Sequence, residues 1–237
     1  LTIATNLQKF ASERLKGMSA SSVLIDIKSG DILSLVSTPS YNPNNFVLGI
    51  SQSDWNALLN DERKPLLNKA TSGAYPPGST FKMVVAAAAL ELGLIGLNDK
   101  IFCAGFYELG SRKFHCWLKG GHGKLTLQEG IQKSCDVYFY ELARKVGVKR
   151  IGDMARQLGL GQAYDLPLTG LSKGFVPTKK WKKERFGTSW LVGDTLNVGI
   201  GQGFSLATPL QLAVMTARLA SGKEVTPNII KNTNDNI

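Results

Sequence analysis

The feature that most constrains the fold is a sharp break in the chain, followed at once by a run without charge. Residues 75–82 read Y-P-P-G-S-T-F-K, and residues 83–90 are apolar and rich in Ala and Val. Because two prolines and a glycine interrupt any preceding helix, the sequence predicts a new helix that begins at or beside Ser79 and is buried nearly all round. Lys82 then enters a core helix, a position that a surface lysine does not normally occupy.

Ser79 and Lys82 are three residues apart and therefore share one face of the predicted helix. A serine hydroxyl is a weak nucleophile and needs an adjacent base. A lysine can be that base where burial or a helix N-terminus disfavours its charged form, and the first N–H groups of the helix can stabilise an oxyanion. We predict that Ser79 is a nucleophile and that Lys82 activates it. The alternative is a helix cap at Ser79 beside a surface lysine.

A second polar cluster, K-S-C-D at residues 133–136, lies between two predicted helices. A capping box of Thr126 and Glu129 opens the first helix, and the second covers about residues 137–146. Ser134 could relay a proton to a leaving amine, and Asp136 could anchor the lysine or bind substrate. The alternative is an ordinary turn with Asp136 as the helix cap.

The remaining elements follow from periodicity and turn chemistry. Residues 22–27 and 32–37 predict a β-hairpin around the turn K-S-G-D. Helical spacing or caps predict further helices at residues 7–15, 149–158 and 210–220. Residues 98–124 are rich in Gly and aromatic side chains without a sustained period, and residues 232–237 predict a frayed tail. The chain therefore mixes helices and strands.

The net charge of +10 favours an acidic partner but does not identify it. The densest basic run, K-K-W-K-K-E-R at residues 179–185, is predicted to be a solvated loop anchored by Trp181, because no nucleic-acid-binding motif accompanies it. No apolar run approaches the roughly 20 residues that span a bilayer, and the first residues do not form a signal peptide. We expect any membrane anchor to lie outside this sequence.

Several motifs in order resemble those of the penicillin-binding protein transpeptidases. The stretch 75–82 resembles the first motif of this family, and S-C-D at 134–136 resembles the second, S-x-N, with Asp in place of Asn. The segments at 195–203 (T-L-N-V-G-I-G-Q-G) and 208–213 (T-P-L-Q-L-A) resemble the family's G-Q-G and T-P-L-Q-L-A segment. Together with P-S-Y-N-P-N at 39–44, they resemble class B enzymes and, among these, the elongation group of penicillin-binding protein 2.

This resemblance implies an α+β fold of the penicillin-binding and serine β-lactamase type, with an antiparallel sheet flanked by helices and a mostly helical subdomain. Residues 1–237 are expected to form one transpeptidase domain. The implied activity is peptidoglycan D,D-transpeptidation for cell elongation and shape, through an acyl-enzyme that β-lactams mimic. The implied catalytic residues are Ser79, Lys82, Ser134 and Asp136.

The same resemblance implies the partners and the location. The substrates would be stem peptides that end in D-Ala-D-Ala, and the inhibitors would be β-lactam antibiotics. The full-length protein would act with a membrane glycosyltransferase and other elongation proteins at the periplasmic face of the cytoplasmic membrane, held by an N-terminal anchor. No nucleic acid is expected.

One family feature is not in this sequence. The third motif, K-[ST]-G, lies on a strand that walls the active site in the family, and residues 1–237 contain neither Lys-Thr-Gly nor Lys-Ser-Gly. We therefore expect a domain that stops before the last strands of its sheet. Two other functions stay open: a class D-like β-lactamase or β-lactam sensor, and a scaffold without catalysis.

The three cysteines and one of the two histidines predict a metal site. Their spacing is C-x12-C-x5-H-x12-C, and three thiolates with one imidazole form a closed, tetrahedral, structural zinc site. The predicted ligands are Cys103, Cys116, His122 and Cys135. Some elongation transpeptidases are similar in carrying zinc there, and a metal bound by Cys135 would fix the second motif. His115 is a competing ligand.

Two alternatives to zinc stay open. A disulfide between Cys103 and Cys116 would leave Cys135 free and would suit an exported protein. The three thiols could also be unrelated.

Overall fold

A computed structural model describes residues 1–231 of the chain. Its helices and strands, in chain order, are α1 (Thr5–Arg14), β1 (Ala20–Ile25), β2 (Ile32–Thr38), α2 (Gln52–Asn60), α3 (Lys82–Glu91), β3 (Ile101–Cys103), β4 (Phe106–Leu109), β5 (Arg112–His115), β6 (Gly123–Leu125), α4 (Leu127–Gln132), α5 (Asp136–Val146), α6 (Val148–Gln157), α7 (Lys179–Phe186), α8 (Val192–Gly199) and α9 (Pro209–Ser221). The mixture of helices with antiparallel strands confirms the α+β class. The predicted frayed tail lies outside the described residues.

The chain divides into two compact units. The first contains Leu1–Ala74, Gln162–Gly174 and the described residues from Ala207 onwards, and the second contains Tyr75–Gly161 and Phe175–Leu206. All of the predicted catalytic and metal-binding residues belong to the second unit.

The first unit is built on the predicted hairpin. Strands β1 and β2 pair antiparallel, and alternate side chains of β2 are buried because a strand presents successive residues to opposite faces. Helix α1 packs against β2, and α9 packs against β1. The buried core of the unit includes Ile32, Leu166, Leu210 and Ile229.

Helix α9 begins at the predicted cap, and the same motif ties down a loop. The Thr208 hydroxyl accepts from the Gln211 N–H at 3.1 Å, and the Gln211 side chain accepts from the Thr208 N–H at 2.9 Å. Gln211 is buried, and its amide also donates to the carbonyls of Gln162 and Lys173. The T-P-L-Q sequence thus caps α9 and holds a loop of the first unit in place.

The second unit is mainly helical. Helix α5 packs against α3, α6 and α8, and α3 also packs against α6. The α5–α8 contact is so close that a Cβ on Gly199 would lie 2.3 Å from the Cβ of Ala143, so only glycine fits there. None of the helices within residues 1–231 is both long enough and apolar enough to cross a membrane.

The aperiodic segment at residues 98–124 contains two small antiparallel sheets that the sequence did not predict. Strand β3 pairs with β6, and β4 pairs with β5. Each strand has only three or four residues, too few to show a period of two. These sheets place Cys103 at the end of one strand and Cys116 directly after another.

The basic run at residues 179–185 forms helix α7, so the prediction of a solvated loop was wrong. Thr178 caps the helix by accepting from the Trp181 N–H at 3.1 Å. The predicted anchoring by Trp181 is confirmed, because its ring packs against the rings of Phe175, Phe186 and Phe204. Those partners lie outside or at the edge of the charged run, which is why the run itself resembled a loop.

Candidate active site

Ser79 lies at the start of the buried helix, as its sequence context predicts. It belongs to a single 3₁₀ turn, Gly78–Phe81, that leads directly into α3. Ser79 itself is exposed, whereas Phe81 and Lys82 are buried. An exposed hydroxyl therefore lies at the N-terminal end of a buried helix.

The G-Q-G segment supports the backbone directly before Ser79. The Gly78 N–H donates to the Gly201 carbonyl at 2.9 Å. Gly201 has a φ of +72°, and a Cβ at this position would lie 2.0 Å from the Gly78 carbonyl oxygen. Only glycine allows both this backbone angle and this approach. The segment thus fixes the position of the predicted nucleophile.

Lys82 directs its ammonium group at the second predicted cluster. Its Nζ donates to the Ser134 hydroxyl at 2.9 Å and to the Ser134 carbonyl at 2.8 Å. It also lies 2.7 Å from Oδ1 of Asp136. The Lys82 side chain is only 3% exposed, so these contacts replace water around the charge. The structure therefore brings the two predicted clusters together.

The link from Lys82 to Ser79 passes through Ser134. The Ser134 hydroxyl donates to the Ser79 hydroxyl at 2.9 Å, while it accepts from Lys82. The three-residue spacing had suggested that Lys82 reaches Ser79 itself. The structure instead gives a chain of three polar groups that runs from a buried ammonium to an exposed hydroxyl.

The backbone at Ser134 explains why its hydroxyl and its carbonyl both face Lys82. Ser134 has a φ of +49°, in the left-handed region that costs a non-glycine residue about 1–2 kcal/mol. Its N–H donates to the Ile131 carbonyl at 3.0 Å. This sharp turn between α4 and α5 points the polar groups of Ser134 at the lysine. Strain of this kind concentrates at functional sites.

Asp136 is the first residue of α5, where the helix dipole favours a negative charge. The cap position belongs to Cys135, so the alternative in which Asp136 caps the helix is wrong. The second carboxylate oxygen of Asp136 accepts from the Trp117 N–H at 3.0 Å. Sequence reasoning missed Trp117, although it directly follows the predicted metal ligand Cys116.

The four predicted metal ligands form one cluster. Their sulfur and nitrogen donor atoms all lie within 4.8 Å of one another. Nδ1 of His122 is 3.6 Å from the sulfurs of both Cys103 and Cys116, and the sulfurs of Cys116 and Cys135 are 4.0 Å apart. A tetrahedral zinc ion with bonds of about 2.0–2.3 Å holds its ligand atoms at such separations. The geometry of the cluster therefore fits zinc.

The chemistry of the cluster also fits a cation. The three cysteines are free thiols and are buried. Burial raises the pKa of the Cys135 thiol, so a counter-charge is needed to hold a thiolate there. Burial, followed by the charge of Lys133, lowers the pKa of His122 and favours the neutral imidazole that binds metals. The competing His115 is not in the cluster.

Comparison with known proteins gives a family. A sequence model of the family described as "Penicillin binding protein transpeptidase domain" matches residues 20–237. The peptidoglycan D,D-transpeptidase MrdA of Escherichia coli K12 is 41% identical over 236 residues, which are 98% of this chain and 37% of that protein. The chain therefore spans little more than a third of the length of this relative.

Solved structures agree with the sequence match. Penicillin-binding protein 2 of Pseudomonas aeruginosa, solved with WCK 5153, has a TM-score of 0.94 and 39% identity over 98% of this chain and 53% of its own. The Helicobacter pylori penicillin-binding protein 2, solved in complex with MreC, has the same TM-score and identity over 98% of this chain and 44% of its own. The transpeptidase fold that the sequence motifs implied is confirmed.

Proposed function

Because this chain belongs to the penicillin-binding protein transpeptidase family, we propose that it is the catalytic part of a D,D-transpeptidase that cross-links peptidoglycan stem peptides. The observation that carries the proposal is the polar chain from Lys82 through Ser134 to the exposed hydroxyl of Ser79. The relatives named peptidoglycan D,D-transpeptidase support the substrate class. The role in cell elongation and shape is proposed from the motifs that resemble the elongation group.

In the acylation step, the Ser79 oxygen attacks the carbonyl carbon of the penultimate D-Ala. A C–O bond forms, the C–N bond to the terminal D-Ala breaks, and Ser79 loses its proton. Because hydroxyl groups rotate, the contacts that run from Lys82 to Ser79 can also run in reverse. The proton then moves from Ser79 to Ser134 and on to the amine form of Lys82, and it returns through Ser134 to the leaving D-Ala nitrogen.

Asp136 and the helix start complete the proposed machinery. Asp136 lies 2.7 Å from the Lys82 Nζ and holds it within hydrogen-bond distance of the Ser134 hydroxyl, so that the lysine amine can receive the Ser79 proton through Ser134. The N–H of Ser79, at the start of the turn, has no acceptor within its helix and can stabilise the oxyanion. An amine of a second stem peptide then attacks the acyl-enzyme, forms the cross-link and releases Ser79.

A fluorescent penicillin tests this function. A β-lactam should acylate Ser79 as a mimic of D-Ala-D-Ala, giving a stable adduct of one label per chain. Ser79→Ala is the matched control and should abolish labelling. Rapid turnover of the adduct would favour the β-lactamase alternative. Absence of any adduct would favour the scaffold, since the K-[ST]-G motif of the family is not in this sequence.

The metal cluster supports a second proposal, a structural zinc ion bound by Cys103, Cys116, His122 and Cys135. Zinc would supply a fixed cross-link and no step of the reaction. Cys135 lies between Ser134 and Asp136, so its side chain would hold the second motif while its neighbours face Lys82. The cluster would preorganise the active site.

Metal analysis and thiol counting test the zinc proposal together. Protein purified without chelator should contain about one zinc per chain, and Cys103→Ser should lose it. After removal of zinc under denaturing conditions, all three cysteines should react with a thiol reagent. One reactive thiol would indicate a disulfide, and protein without stoichiometric zinc would refute the proposal.

We also propose the partners and the location that the family suggests. MreC is the protein bound in the Helicobacter structure, which supports an MreC-like partner. Another similar structure is described as a peptidoglycan synthase complex that coordinates polymerization and crosslinking, which supports a polymerising partner such as a membrane glycosyltransferase. Because the proposed substrate is peptidoglycan, the proposed location is the periplasmic face of the cytoplasmic membrane. Fractionation of cells with an antibody against this domain, followed by protease access from the periplasm, tests the location.

A further inference from the structure

Trp117 is exposed, yet its indole N–H, its main-chain N–H and its ring each make a specific contact. Its side chain is one of the most exposed large apolar groups of the described residues, at 63%. Its indole Nε1–H nevertheless donates to the Lys133 carbonyl at 3.1 Å, and its main-chain N–H donates to Asp136 at 3.0 Å. The ring also meets His122 edge to face, with centroids 5.3 Å apart.

The indole contact fixes the peptide group that precedes Ser134. Lys133 is the C-cap of α4, and its carbonyl is one of those that a helix end leaves without an intrahelical partner. Trp117 donates to this carbonyl, while the N–H of the same peptide group donates to the Ile131 carbonyl at 3.0 Å. The peptide plane is therefore held on both sides. Its orientation sets the left-handed φ of Ser134.

The main-chain contact of the same residue fixes the other end of the motif. Asp136 uses one oxygen for Lys82 at 2.7 Å and the other for the Trp117 N–H at 3.0 Å. The carboxylate therefore has a single orientation in which it faces the lysine. Trp117 thus contacts the groups on both sides of Ser134 and Cys135.

We propose that Trp117 is a positioning residue that holds both ends of the Ser134-Cys135-Asp136 motif and so aims Ser134 and Asp136 at Lys82. Trp117 directly follows Cys116 and packs on His122, so it also links the metal cluster to the catalytic groups. The effect on catalysis rests on the proposed function, whereas the effect on the backbone of the motif does not. Trp117→Phe removes the indole N–H and retains an aromatic ring.

Amide hydrogen exchange measures the backbone effect in the whole chain. Loss of one hydrogen bond should speed exchange at Ser134 and Cys135 about fivefold to tenfold in Trp117→Phe. Trp190→Phe is the matched control, because Trp190 also donates an indole hydrogen bond in this unit, to Thr195 at 2.8 Å. It should leave exchange at Ser134 and Cys135 unchanged. Trp117→His, which restores a ring N–H, should recover part of the protection.

Acylation by penicillin measures the effect on catalysis. In Trp117→Phe the first-order acylation constant should fall about fivefold to tenfold while the dissociation constant of the initial complex stays constant, and Trp190→Phe should acylate normally. If the unsubstituted chain does not acylate, the proposed function fails and hydrogen exchange alone decides on Trp117. If Trp117→Phe does not fold, the same measurements on Trp117→His decide. Unchanged exchange at Ser134 and Cys135, or equal losses in the Phe and His variants, would overturn the proposal.

Discussion

Two buried Lys–Asp pairs in the second unit have nearly the same surroundings. Lys82 pairs with Asp136, and Lys182 of α7 pairs with Asp194 of α8. Both aspartates also accept a backbone N–H, from Trp117 in the first pair and Leu191 in the second. Both lysines lie about 6 Å from the centre of an aromatic ring, 5.8 Å and 6.0 Å respectively. The ion pair by itself therefore does not distinguish a catalytic site.

The pairs differ in one further partner of the lysine. Lys82 donates to the Ser134 hydroxyl, which donates to the exposed hydroxyl of Ser79. Lys182 contacts the Trp190 ring and the Asp194 carboxylate. Its helix, α7, ends at Gly187, which has a left-handed backbone conformation. A buried charge becomes useful for acyl transfer when a chain of hydroxyl groups connects it to a nucleophile at the surface. The second pair joins α7 to α8.

The largest predicted effect separates the two lysines by function. Lys82→Met should reduce acylation of Ser79 by penicillin about 100-fold to 10,000-fold, because the proposed general base is lost. Lys182→Met should leave the acylation rate within about threefold. Each variant leaves a partly buried aspartate without its lysine, so each should lose about 3 kcal/mol in the free energy of unfolding, the lower end of the loss for a fully buried pair. Stopped-flow acylation and urea unfolding measure both quantities.

Double variants control for the loss of stability. Replacing both members of a buried pair by apolar residues is often neutral for stability. Lys182→Met with Asp194→Leu should therefore recover stability and acylation, whereas Lys82→Met with Asp136→Leu should recover stability only. If the two double variants acylated at the same rate, Lys82 would have only a structural role, like Lys182.

Local signals of the sequence predicted much of this arrangement. The capping box at Thr126 was predicted from a Glu three residues later, and the helix start at Thr208 was predicted from the Pro that follows it. The start of α3 followed from prolines, a glycine and an uncharged run. The metal cluster followed from residue types that rarely gather by chance. Such features need no knowledge of the tertiary structure.

Long-range contacts account for what the sequence did not reveal. Lys82 bonds to Ser134, 52 residues away, instead of to Ser79 three residues away. Helix α7 was missed because the partners of its charged run, Phe204 for Trp181 and Asp194 for Lys182, lie outside the run. The role of Trp117 depends on a carbonyl 16 residues away. In each case, a partner distant in sequence changes the meaning of a polar residue.

The next prediction disturbs the backbone beside Ser79, at one end of the hydrogen-bonded series Lys82, Ser134 and Ser79. It changes no charged residue. Gly201→Ala should cost about 3 kcal/mol, from left-handed strain and from the contact with the Gly78 carbonyl. It should also slow acylation about 100-fold, because Gly78 precedes the proposed nucleophile Ser79 and a shift of about 1 Å suffices for such a loss. Unfolding and acylation rates measure the two effects.

Gly187→Ala provides the matched control. Gly187 has a similar φ of +67° but no atom within 4 Å of its missing Cβ. This variant should lose about 1 kcal/mol from strain alone and acylate normally. Slow acylation in Gly187→Ala as well would show that backbone strain anywhere in the unit, and not the approach of Gly201 to Gly78, limits the nucleophile.

The smallest predicted effect concerns a hydrogen bond from a backbone N–H to a carboxylate. Asp136 and Asp194 each accept such a bond, and so does Glu129. Glu129 accepts from the Thr126 N–H at 2.8 Å and from its hydroxyl at 3.0 Å. The N–H contact comes first among the causes that lower the pKa of Glu129 below its ordinary value. A depressed carboxyl pKa contributes stability that is present above the ordinary pKa and disappears as the pH falls through the folded-state pKa. Glu129→Gln should therefore lower the melting temperature at pH 7, and the difference should vanish in strong acid.

Thr208→Ala, in the uncharged capping box with Gln211, should cost about 1 kcal/mol at every pH. If the two losses depended on pH in the same way, the N–H contact to the Glu129 carboxylate would contribute no charge-specific stability.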